Sequence, residues 1–233
     1  MAASTLEWPA SIRVRATNFR LQHLQSVNPV RSGDHQAIEF GEPLWLCDLS
    51  TPPLSRAQAA ELKAFALKLR GALRTFYLWD HAMARPAAYA SVADSAWYAS
   101  SETVLASSEA SLASGETIPW GCPYVTEYDE ANGLIKVVGL AAGATLSAHD
   151  FGAWDDGPAR RQAAVTDTIV ADASGEAWVA VEPGPPSDES NLPALLHLDK
   201  AAAEMRLVSF SAPFETGSFW AASATAGQVL RRS

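Results

Sequence analysis

The chain has 233 residues, 48% of them hydrophobic and 18% charged, which excludes a disordered or collagen-like polymer and suffices for one large domain or two small ones. No run of about 18 apolar residues occurs, so no spanning helix is expected, and the start Met1-Ala2-Ala3-Ser4-Thr5-Leu6-Glu7-Trp8-Pro9 lacks the pattern of a secretory signal. The net charge of −9 argues against tight sequence-independent binding to DNA or to an anionic membrane.

The charge is uneven. Residues 1–80 hold nine Lys/Arg and seven Asp/Glu, whereas residues 81–233 hold eight and nineteen. Such a shift marks two domains, or two faces that meet different neighbours. Within residues 8–24, Ile12 and Val14 alternate with Arg13 and Arg15, and Phe19 and Leu21 keep the two-residue period one step out of phase. The pattern predicts a half-buried strand with a bulge near Thr17-Asn18. Asn28-Pro29 and Ser32-Gly33-Asp34 are turn chemistry, and strand character resumes over residues 36–49.

Thr51-Pro52-Pro53-Leu54 stops that strand. Ser55 then starts a helix over residues 55–70 as its N-cap, with Gln58 completing a capping box. Leu62, Phe65, Ala66 and Leu69 form one apolar stripe. Lys68 and Arg70 favour the negative end of the helix dipole, and Gly71 is the expected left-handed C-terminal residue. A short aromatic strand, Thr75-Phe76-Tyr77-Leu78-Trp79-Asp80, follows directly, so the helix is expected to pack on a sheet. Residues 87–117 are rich in Ala and Ser and hold no Lys or Arg. Within them, residues 93–113 fit a loose helix or a long loop equally well.

From Trp120 the chain reads as β. Asp129-Glu130-Ala131-Asn132-Gly133 between two strand-like runs predicts a hairpin. A second pair, residues 164–170 and 176–181, flanks Asp172-Ala173-Ser174-Gly175. Residues 183–193 form a Pro-rich connection, and residues 195–198 and 205–210 are two more strands. The fold class expected is mostly β: a β-barrel or sandwich with one amphipathic helix packed on it, plus a second, smaller barrel-like region. The expected division is an N-terminal part over residues 1–86, an insertion over 87–120, a C-terminal β part over 121–215, and a weakly patterned tail over 216–233.

No chemical signature stands out. The five histidines, His23, His35, His81, His149 and His197, show no helical ligand spacing, and no nucleophile elbow, zinc motif or phosphate loop is present. Asp155-Asp156 beside Gly157-Pro158 reads as a solvated turn. Cys47 and Cys122 read as two buried thiols rather than a pair, and neither has a histidine at zinc-ligand spacing. Arg13, Arg15, Arg20 and Arg31 read as a polar strand face or an interface rim. No catalytic residue, metal or cofactor is expected. Of the eight tryptophans, Trp45 and Trp178 read as core. Trp97, Trp120 and Trp154 lie near loops and are candidate contacts, together with the helix cations Arg56, Lys63, Lys68 and Arg70.

The order of segments carries a resemblance. Trp8-Pro9-Ala10-Ser11, the strand reaching Leu44-Trp45-Leu46, Thr51-Pro52-Pro53-Leu54, Leu69-Arg70-Gly71, Phe76-Tyr77-Leu78-Trp79-Asp80 and Arg85-Pro86 resemble the distal tail (baseplate hub) proteins of long-tailed bacteriophages and gene transfer agents. Leu146-Ser147-Ala148-His149-Asp150-Phe151, Asp172-Ala173-Ser174-Gly175 with Val179-Ala180-Val181-Glu182-Pro183, and Met205-Arg206-Leu207 fit the same family, with His149 standing where the family usually has Gly. The resemblance covers residues 8–86 and about 134–210, and leaves out 87–120. It implies a virion structural protein of the tail tip, made in the host cytoplasm, with no enzymatic role. Such a protein forms a homo-oligomeric ring, commonly a hexamer, that ends the tail tube and joins the tail tube protein to the tail-tip hub and to fibre or receptor-binding proteins. In such a ring the acidic second half would line the lumen and repel the DNA that passes. The alternative is a carbohydrate-binding β-sandwich for host recognition, with Trp97, Trp120 and Trp154 as its stacking residues.

Overall fold

A computed structural model describes residues 5–29, 35–90, 121–157, 159–216 and 219–229. In chain order its elements are β1 (Leu6–Glu7), β2 (Ala16–Pro29), β3 (His35–Ser50), α1 (Arg56–Leu69), β4 (Thr75–Trp79), β5 (Gly121–Asp129), β6 (Leu134–Leu140), β7 (Thr145–Leu146), β8 (Phe151–Asp156), β9 (Ala159–Val165), β10 (Ile169–Val170), β11 (Glu176–Glu182), β12 (Ala194–His197), β13 (Ala202–Thr216) and β14 (Phe219–Gln228). The protein is mostly β with one α-helix among the described residues, and it contains a closed six-stranded barrel and an open six-stranded sheet. It divides into two units: residues 1–82 with 203–232, and residues 83–202.

The first unit is a six-stranded sheet in the order β1-β4-β13-β14-β3-β2. Alternation builds its inner face: Trp45, Cys47 and Leu49 of β3 are buried, and so are Ala222, Ala224 and Ala226 of β14 beside them. Helix α1 lies against this sheet. Ser55 accepts from the Gln58 amide and the Gln58 side chain accepts from the Ser55 amide, so the capping box forms as expected. Ala59, Leu62, Phe65 and Leu69 are the buried side of the helix, and each large one contributes about 1.5–3 kcal/mol by leaving water. Phe65 meets Trp8 edge-on at 5.5 Å and Phe76 at 5.7 Å. The left-handed stop comes one residue early: Arg70 has φ 50, and Gly71 follows at φ 66.

One carboxylate is built into this interior. Glu204 is 1% exposed and accepts from the hydroxyls of Thr75 at 2.5 Å and Thr5 at 3.2 Å. Those bonds tie β13 to β4 and to the residue before β1, and they compensate the burial of a polar group.

The second unit is the closed barrel β11-β6-β5-β12-β8-β9, with the short antiparallel pair β7–β10 beside it. Val125, Ile135, Val137, Trp154, Val179 and Leu196 form much of its core. The β5–β6 hairpin forms as expected, closed by a 3-10 turn at Glu130–Asn132 and by Gly133 at φ 66. Gly175 is fixed by space as well as backbone: at φ 78, a Cβ there would lie 2.2 Å from the Leu140 carbonyl oxygen. The second expected pair forms in part: Ala164 and Val165 of β9 stand opposite Glu182 and Val181 of β11 and the Thr166 amide donates to the Ala180 carbonyl, whereas Ile169–Val170 leave as β10 to pair with β7.

Three other expectations change. The bulges of β2 fall between Gln22 and Gln25 rather than at Thr17-Asn18. The tail reading of 216–233 gives way over 219–228 to β14, an inner strand between β13 and β3. Strands β13 and β14 return to the first unit, so the second unit is an insertion and not the C-terminal half.

Candidate interaction surfaces

Among the described residues no group of three His, Cys, Asp or Glu is placed to hold a metal. The titratable side chains that do cluster are tied into the fold. Asp155 and Asp156 end β8 and face Arg160 and Arg161 across the hairpin at 2.8 Å and 2.6 Å. They are ion-paired, which corrects the reading of a solvated turn. Burial raises the Asp155 carboxyl, but the two bonds from Arg160 outweigh it and hold the group below the usual carboxylate range. Burial lowers the neighbouring His197 imidazole, and the Arg160 charge adds to the shift. Asp172 is held low by the Glu176 amide and by the Ser174 hydroxyl, all within one exposed turn.

Cys47 is a free thiol, buried in the sheet and pushed up to about 12 by that burial, so it is no nucleophile. The side chain of Cys122 lies outside the described residues. Burial likewise pushes the Tyr128 hydroxyl up to about 12; it accepts a 2.8 Å hydrogen bond from the Trp154 indole. Asp150 is fully buried and accepts from two amides, Ser147 at 2.6 Å and Ala87 at 2.7 Å. Desolvation nevertheless raises its carboxyl above the ordinary value.

The surface is more informative. Arg56, Lys63, Lys68 and Arg70 are all exposed on α1 or at its end, and the Lys63 ammonium lies 4.9 Å from the Trp220 ring centroid. Trp154 is 1% exposed in the barrel core, so it neither contacts a partner nor stacks on a sugar. Trp97, Trp120 and Arg31 lie outside the described residues. Trp178, expected in the core, is 45% exposed on the outer barrel wall. Trp45 is buried as expected.

Sequence reasoning missed one exposed apolar feature. In β3 only Leu46–Ser50 pair with β14, so from Leu44 back to His35 the strand has β2 as its one strand partner among the described residues. The result is a two-stranded ribbon extending beyond the sheet. Phe40, 71% exposed, and Ile38 lie on one face of it, and Val27 lies on the other, opposite Ala37. The exposed face of the main sheet carries a shallow groove lined by Asp48, Thr225, Ser209, Ser211 and Ser223. There Asp48 pairs with Arg20 at 2.5 Å and accepts from Thr225 at 2.7 Å. The alternation in 36–40 was the available signal for the ribbon, but nothing local says that no other strand covers it.

No protein-family model matches this chain, and no curated protein matches it significantly.

Proposed function

We propose that this chain is a virion structural protein, a subunit of a distal tail or baseplate-hub ring that ends a phage-type tail tube and carries the tail-tip hub and receptor-binding proteins. The observation that carries the reading is the β2–β3 ribbon. Two strands alone in water are marginal, and this pair exposes Phe40, Ile38 and Val27 on opposite faces. A ribbon of that kind is stable when a neighbouring subunit covers it. The resemblance of residues 8–86 and about 134–210 to distal tail proteins supports the reading independently.

Charge supports it as well. The first unit holds twelve Lys/Arg against nine Asp/Glu, a net of +3; the second holds five against seventeen, a net of −12. An acidic unit beside a DNA passage repels phosphate and leaves the passage clear. The test is immunogold electron microscopy of particles from the source culture with antibody against this chain. Label at the tail end away from the capsid is the expected result. Unlabelled particles, with the protein free in the soluble fraction, would overturn the reading.

A further inference from the structure

Two exposed patches are left over once each unit is assembled. The first is the outward side of α1. Its inward residues Ala59, Leu62, Phe65 and Leu69 already cover the sheet. Yet Leu67 is 78% exposed, and Leu73, in the 3-10 turn that follows the left-handed stop at Arg70, is 76% exposed. At about 100° per residue Ala60 and Ala64 fall beside Leu67 on one flank, and Arg56 and Lys63 on the other, so the solvent side sets an exposed leucine among small residues and cations. Cations share this face: Arg56, Lys68 and Arg70 are exposed, and none pairs with a carboxylate among the described residues. The one acid of the helix, Glu61, accepts from the Ser11 hydroxyl.

The second patch is the outer wall of the barrel formed by β5, β6 and β11. Tyr124 stands opposite Val138, and Lys136 opposite Trp178. Tyr124 and Trp178 are both exposed. Acids surround them: Glu127 and Glu176 flank Lys136 at 3.0 Å and 3.8 Å, and exposed Glu130 and Asp172 lie at the two strand ends. Lys136 is the one basic residue on these three strands, against Glu127, Glu130, Asp172 and Glu176 on or beside them, which leaves the wall acidic.

The two patches complement each other. The 14 residues of α1 span about 21 Å, and the seven residues of β6 span about 24 Å. Three strands spaced about 4.8 Å apart make a strip about 10 Å wide, the width of one helix. One patch sets exposed leucines among cations, the other exposed aromatics among acids.

We infer that the outward side of α1 docks on the β5–β6–β11 wall of a second copy of this chain, Leu67 and Leu73 meeting Tyr124 and Trp178 while Arg56, Lys68 and Arg70 meet the acidic rim. The contact uses different surfaces on the two copies, so it is head-to-tail, the class of contact that builds a ring when its rotation closes. It rests on the ring reading above and names the faces that meet.

The experiment is sedimentation velocity on the full chain over a concentration series, with Leu67→Glu and Trp178→Glu variants and circular dichroism melts to show each is folded. Tyr124→Glu replaces Trp178→Glu if the latter unfolds. Each variant alone weakens association by about 30-fold or more, as expected for a hot-spot residue. Mixing the two variants gives a dimer and nothing larger, because one intact helix face then finds one intact wall. Lys68→Glu with Arg70→Glu also weakens association, and that effect shrinks as salt is raised. Rings that form unchanged from both variants, or in which only one variant acts, overturn the contact while leaving the ring reading standing. A mixture that rebuilds full rings overturns the head-to-tail geometry, and a salt-independent charge reversal overturns the rim. A wild-type chain that stays monomeric throughout overturns both this contact and the ring.

Discussion

His149 sits at φ 74 in the Ser147–Asp150 turn, closed by the Asp150 amide on the Ser147 carbonyl. A residue with a Cβ loses about 1–2 kcal/mol in that region, more than the conformational entropy of about 0.5–1 kcal/mol that a glycine adds. His149→Gly is therefore expected to raise stability by up to about 1 kcal/mol in urea denaturation, and a β-branched residue there to lower it. Asp150 next to it is acceptor for two amides, and Asn offers only one acceptor oxygen, so Asp150→Asn should cost about 1–3 kcal/mol at pH 7. His197 works in the opposite direction to a salt-bridged histidine. Burial and Arg160 lower its folded pKa, so the unfolded chain takes the proton more readily. Its contribution is present above the unfolded value near 6.5 and is lost as pH falls through the lowered folded value. Urea midpoints measured from pH 7.5 down to pH 5 should fall in the wild type and fall less in His197→Gln.

At the scale of elements, local signals were readable where the physics is local. Ser55 and Gln58 meet in the capping box because both partners lie within one turn, and the Leu62–Phe65–Leu69 stripe is inward as its spacing requires. A charge placed in that stripe has no partner, so Leu62→Asp or Phe65→Asp should abolish folding, read as loss of the cooperative melt. A soluble, folded Phe65→Asp protein would show that α1 does not pack on the sheet as described. Strand β14 was unreadable for the converse reason. Phe219–Gln228 is dominated by small residues, and what makes it an inner strand is β13 on one side and β3, more than 170 residues earlier, on the other. Trp154 and Trp178 exchange roles for a related reason: alternation says that one side of a strand faces in, while barrel closure decides which.

For the whole molecule, the division by composition missed that the barrel interrupts the sheet unit. The charge boundary near residue 80 was visible, since the acidic unit begins at residue 83, but the return at 203 was not, because β13 and β14 carry little charge of either sign. The barrel unit joins its own two ends. The Lys200 amide donates to the Ala84 carbonyl at 2.6 Å, and Arg85 pairs with Asp199 at 2.8 Å with both side chains largely buried. An insertion whose ends lie side by side and whose core is its own has the features of an independently folding domain. Residues 83–202 expressed alone should therefore give a β-type circular dichroism spectrum and one cooperative unfolding transition. Residues 1–83 joined to 201–233 through a short Gly/Ser linker should keep the sheet and α1. Arg85→Ala removes the 2.8 Å ion pair from the largely buried Asp199 carboxylate, so it should destabilise the excised barrel by about 1.5–3 kcal/mol. An unfolded barrel fragment, or an Arg85→Ala fragment as stable as its parent, would mean that the closure at 84–85 and 199–200 is not what holds the insertion together.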